Sequence, residues 1–183
     1  MSTTANASSL TQMVAARFTA PEVPLSVEPC PLPQPATGQV LVRVEAAGVC
    51  GSDLHMWHGN VPVRQTPIVL GHEIAGVTVE CGAETAPWKP SDRVIVRAAS
   101  GCGVCVRCLG GEDNLCPNQT VLGMDVDGGF AQYVLTPAAN LVRLPSEIPF
   151  ETGAILTDAV ATPYHAVTTR GQMRPGESVV IFG

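Results

Sequence analysis

The chain has 183 residues, room for one domain with a sizeable core or slightly more. Its 10 basic and 16 acidic residues leave a net charge of −6 with no basic run, which argues against nucleic acid and anionic membrane surfaces as partners. Hydrophobic residues make up 45%, and 18 glycines with 16 prolines favour short strands and many turns over long helices.

The first residues, "MSTTANASSL", lack the basic start and apolar stretch of a secretory signal, and no apolar run approaches bilayer length. A cytoplasmic chain is expected. There, seven cysteines point to metal or catalysis before disulfides. Residues 1–12 read as a loose tail. "MVAARFTA" reads as a first strand. The proline-rich "PEVPLSVEPCPLPQPATG" should run extended over the surface. "QVLVRVEAAGVC" alternates apolar and polar residues, the pattern of a half-buried strand, and "PIVLGHEIAGVTVEC" and "DRVIVRA" read the same way. "GAETAPWKPS" is a turn. "GGFAQYVLTP" and "NLVRLP" are two more strands.

After Pro149 the pattern changes. "FETGAILTDAVATPYHAVTTRG" has no period-two alternation and predicts one or two helices, kinked or restarted at Pro163. "SVVIF", near the end, reads as a further strand.

Cys102, Cys105, Cys108 and Cys116 follow the spacing C-x2-C-x2-C-x7-C. Two intervening residues let a tight turn aim two sulfurs at one point. The x7 loop, with Gly110 and Gly111, can swing the fourth ligand back. Four thiolates make the closed tetrahedral shell of a structural zinc, with backbone N–H groups and Arg107 softening its formal charge. An iron–sulfur cluster is the competing metal and paired disulfides the remaining alternative. The compartment disfavours disulfides, and no second cluster-type run exists.

Cys50 ends a strand in "AGVCGSDLH", and His72 and Glu73 open another in "GHEIAG". Taken singly, such residues are more often structural than catalytic. Taken together, "GVCGSDLH", "GHE" and the four-cysteine loop resemble the zinc-containing medium-chain alcohol dehydrogenases, from about Val14 to the end of the chain. The resemblance implies a mainly β fold with a few helices: a GroES-like β-barrel catalytic domain over 13–150, a zinc loop at 100–117, bridging helices over 151–175, and the first strand of a Rossmann domain at 176–183.

It also implies that Cys50 and His72 hold a catalytic zinc. The third ligand, at the start of the bridging helix, is cysteine in some members and acidic in others. Here the matching residue is Asp158. One thiolate, one imidazole and one carboxylate balance Zn²⁺, and three protein ligands leave a position open. Glu73 is implied as a residue behind the ligands or a transient ligand, against an ordinary partly buried carboxylate. Ser52 is implied to pass the alcohol proton on, and His55 to carry it to solvent. Thr162 matches a position that touches the nicotinamide, although a helix hydroxyl can also bond its own backbone. Trp57 and His58 fall where substrate contacts are expected, with loop packing as the alternative. Cys30 and Cys81 are expected to be structural.

The implied reaction is oxidation of an alcohol to an aldehyde or ketone by hydride transfer to NAD or NADP, in a full-length homo-oligomer acting on small molecules. No glycine-rich dinucleotide turn follows "SVVIFG", so this chain alone is expected to be inactive. Two other readings stay open: a zinc-binding GroES-like module acting without cofactor, and a fragment that needs its missing half to fold.

Overall fold

A computed structural model describes residues 10–182, mainly antiparallel strands, with a helical segment after Pro149. Strand β1 (Gln12–Phe18) lies between β2 (Ser26–Pro31) and β4 (Ile68–Val69). The proline-rich segment thus supplies an edge strand, where a missing backbone N–H is tolerated. Most of the expected tail lies outside the described residues; Gln12 already pairs with Pro31.

The larger sheet has the order β10 (Leu141–Arg143), β6 (Arg93–Val96), β5 (Glu73–Cys81), β3 (Gln39–Gly48), β9 (Tyr133–Pro137). Strand β3 was expected to bury one face. Instead Val40, Leu41 and Val42 are all fully buried. Val40 and Val42 join Ile74, Val94, Val96 and Val134 in one core, and Leu41 joins Met13, Leu32 and Tyr133 in another. The same holds for β5: Ile74 faces the first core while Ala75 packs with Leu144 and Ala154 under the helical segment. Layers on both faces convert half-buried strands into buried ones.

The stretch expected as one strand, "PIVLGHEIAGVTVEC", is divided between β4 and β5. Gly71 lies between them at φ +92°, a left-handed conformation, and a Cβ there would sit 2.5 Å from the Phe130 ring. The break turns His72 and Glu73 into the first residues of a new direction.

A short helix, α1 (Gly51–Trp57), follows β3 directly, where the sequence reading placed no helix. After Pro149 the helical path runs from α3 (Phe150–Ile155) through a wide π turn (Leu156–Val160), α4 (Ala161–His165) and a second π turn (Ala166–Arg170). Pro163 neither ends nor restarts it. Proline cannot donate to the preceding turn and its ring crowds that turn's carbonyl; widening the turn before it accommodates both. Residues 178–182 were expected as a strand but form none. No described strand lies alongside to complete a ladder, and Val180, Ile181 and Phe182 are exposed. No described helix is long and apolar enough to cross a membrane.

Candidate metal centre

The four-cysteine loop is closed at its base by a two-stranded ribbon, β7 (Ala99–Ser100) with β8 (Thr120–Val121), and carries one helical turn, α2 (Val106–Leu109). All four sulfurs lie within 4.8 Å of one another. Cys105 Sγ is 3.5 Å from Cys108 Sγ and 3.8 Å from Cys116 Sγ. Backbone N–H groups of Val104 and Cys105 bring the Cys102 thiol down to about 6, while burial, with hydrogen bonds to its neighbours, pushes Cys108 up to about 12. Cys116 Sγ accepts from the Cys102 N–H at 3.3 Å, the kind of backbone donor that steadies a thiolate cluster. Arg107, on the same loop, bonds Glu112 at 2.6 Å.

The second cluster is assembled by the register of the larger sheet. Strands β3 and β5 are antiparallel, and Gly48 stands opposite Glu73. The residue before Glu73 and the residues just past Gly48 therefore lie at the same end. That places His72 beside Cys50, which forms the N-cap of α1. The π turn brings Asp158 over both. Cys50 Sγ lies 3.5 Å from Asp158 Oδ2, and His72 Nε2 lies 3.6 Å from the same oxygen. One donor atom from each of the three falls within 4.8 Å of the others. The Ser52 hydroxyl is 3.3 Å from both Cys50 Sγ and His72 Nε2.

Asp53 is the residue that sequence reasoning passed over. It is 3% exposed and organises the site from beneath. Its Oδ2 accepts the Cys50 N–H at 2.9 Å and its Oδ1 accepts the Gly71 N–H at 3.2 Å. The same Oδ1 is 3.4 Å from His72 Nδ1. This contact raises His72 to about 9, with a smaller push from Cys50, against the downward pull of burial. With Nδ1 turned to Asp53, Nε2 is the nitrogen presented to Cys50 and Asp158, and a cation there would displace a proton. The available signal was an acidic residue three positions after the residue that caps a helix, but it required recognising the helix.

Glu73, also 3% exposed, is not among the converging donors. Its Oε1 accepts the Ala159 N–H at 3.1 Å, tying the sheet to the helix beside Asp158. Thr162 donates to Asp158 Oδ1 at 2.5 Å rather than to its own backbone. His55 is exposed on α1. Trp57 Nε1 donates to the Val23 carbonyl at 2.8 Å and His58 lies 3.8 Å from Glu22, so both pack the adjoining loop. A cavity of about 700 Å³ opens elsewhere, between Met13, Cys30, Val69 and Tyr133, and contains none of these site residues.

Residues 36–146 match the model of the alcohol dehydrogenase GroES-like domain. The chain belongs to that family. An alcohol dehydrogenase from Geobacillus stearothermophilus is 41% identical over 162 residues, covering 87% of this chain and 48% of that protein. The cobalt- and zinc-bound thermostable alcohol dehydrogenase of Pyrobaculum aerophilum superposes with a TM-score of 0.83 at 31% identity, over 91% of this chain and 50% of its own. Acetophenone reductase from Geotrichum candidum, in complex with NAD, gives 0.80 at 36% identity, over 87% and 48%. The chain thus spans about half the length of the relatives it matches. In this family setting, residues 36–146, the cysteine loop included, are the GroES-like domain.

Proposed function

We propose that this chain is the catalytic part of a zinc-dependent alcohol dehydrogenase, cytoplasmic and homo-oligomeric in full length, which oxidises an alcohol to an aldehyde or ketone with NAD or NADP as hydride acceptor. The catalytic domain covers 13–150 and the bridge 151–175. The observation that carries the reading is the meeting of Cys50, His72 and Asp158 from three separate segments, each with a donor atom within 4.8 Å of the others. Their chemistry fits zinc: thiolate, imidazole and carboxylate balance a divalent cation, and three ligands leave a position free. Cys102, Cys105, Cys108 and Cys116 form the closed set that suits a structural ion.

A zinc held by Cys50, His72 and Asp158 would supply Lewis acidity that eases loss of the substrate's hydroxyl proton. The chain's own residues do the rest. Asp53 holds the His72 ring so that Nε2 faces inward. Glu73 fixes the helix at Ala159. Ser52, beside Cys50 and His72, is the hydroxyl placed to take the proton, and exposed His55, one turn on, can pass it to water.

Metal content tests the reading. The purified chain should hold zinc in the four-cysteine loop and a more exchangeable equivalent at the second site. Asp158→Ala should remove up to one equivalent and leave the four-cysteine metal in place. An unchanged stoichiometry would take Asp158 out of the ligand set.

A further inference from the structure

We infer that Thr162 is a positioning residue that orients Asp158 so that Oδ2 faces Cys50 and His72, an inference that rests on the metal reading above. A carboxylate offers two oxygens, and one that grips a cation with both fills two coordination positions. Here the two oxygens are divided. Oδ2 faces Cys50 Sγ at 3.5 Å and His72 Nε2 at 3.6 Å. Oδ1 accepts the Thr162 hydroxyl at 2.5 Å.

The helix makes this division possible. Thr162 stands four residues after Asp158, so their side chains share a face. Pro163 follows, and the wide turn at Leu156–Val160 carries Asp158. The backbone next to Asp158 is pinned by Glu73 through the Ala159 N–H at 3.1 Å. Glu73 thus fixes the position of Asp158, and Thr162 fixes its rotation. The consequence is chemical: the Thr162 bond sets in advance which oxygen faces Cys50 and His72, and without it the carboxylate must give up its rotation when it takes the ion. A cysteine has one donor atom and requires no such device. An aspartate does, because either of its two oxygens could be turned to the ion.

The test uses the 183-residue chain and zinc alone. Chelator competition reads the affinity of the second zinc in the native chain, Thr162→Val, Thr162→Ser and Asp158→Ala, alongside thermal midpoints. Valine keeps the shape and removes the hydroxyl. It should weaken the second zinc about tenfold, the lower end of the loss expected for groups behind metal ligands. It should leave the four-cysteine zinc and the thermal midpoint unchanged. Serine should restore the affinity. Native affinity in Thr162→Val, with Asp158→Ala deficient, would overturn the role of Thr162 and leave the ligand set standing. Native affinity in both would overturn the metal reading itself. A loss in Thr162→Val that serine does not restore would show a packing role, which also overturns the inference. If valine prevents folding, Thr162→Ala against Thr162→Ser makes the same comparison.

Discussion

Gly48→Ala should destabilise the protein through one contact, across the β3–β5 pair. A Cβ at Gly48 would lie 2.0 Å from Glu73 Oε2 and 3.0 Å from Glu73 Cβ. The backbone of Gly48 itself is not in the left-handed region, so alanine meets no conformational penalty there. The carboxylate must move, yet Glu73 is buried and bonded to Ala159. Overpacking of this kind costs ~1–3 kcal/mol. Breaking a hydrogen bond to a charged group costs ~1.5–3 kcal/mol, and the two overlap in part. A loss of ~2 kcal/mol corresponds to a midpoint about 4–8 °C lower for a chain of this size. The assay is thermal and urea unfolding of four proteins: native, Gly48→Ala, Glu73→Ala and the double variant. With Glu73 truncated to alanine the carboxylate clash is gone and only the 3.0 Å approach to its Cβ remains. Gly48→Ala should then cost much less than in the native background, since glycine within a strand itself costs ~0.5–1 kcal/mol against alanine and offsets the remaining tight contact. Equal penalties in both backgrounds would refute the reasoning, because additivity within ~0.5 kcal/mol is the mark of groups that do not interact.

Ile74→Ala, at a fully buried position in the main core, should cost ~2–5 kcal/mol in urea unfolding without changing zinc in the four-cysteine loop. Asp92, bonded to Arg143 at 2.9 Å, is held below the usual carboxylate range chiefly by that guanidinium, with the Lys89 N–H adding to it. A depressed carboxylate contributes stability above its unfolded value of about 3.9 and loses it as pH falls through the lower folded value. Acid unfolding should therefore show this step in the native chain and not in Asp92→Asn. With alcohol and NAD or NADP, the 183-residue chain should give no steady NADH or NADPH, because holding the nicotinamide against substrate is worth ~7–11 kcal/mol of the barrier and the chain carries no glycine-rich dinucleotide turn; sustained turnover would contradict this.

The four-cysteine loop was legible because its logic is local. The spacing of Cys102, Cys105, Cys108 and Cys116 brings the sulfurs together within one short loop, so reading along the chain suffices. The alternating strands were legible for a similar reason: period two is a property of neighbours. Cys50, His72 and Asp158 are another matter. Nothing local links them, and only the likeness of the surrounding motifs to a known family singled them out. Their meeting depends on the antiparallel register that sets Gly48 opposite Glu73, and on the turn at Gly71 that redirects the chain before His72. What lies behind those three residues was decided by tertiary structure alone. Asp53 reads as one polar residue among others until α1 stands it under His72. That Glu73 accepts the Ala159 N–H is visible only once the helix packs beside it. That Thr162 donates to Asp158 is visible only once the helix sets one over the other. Side-chain direction is fixed by elements that pack from far apart in the sequence, and no periodicity along the chain encodes where a carboxylate's second oxygen will point.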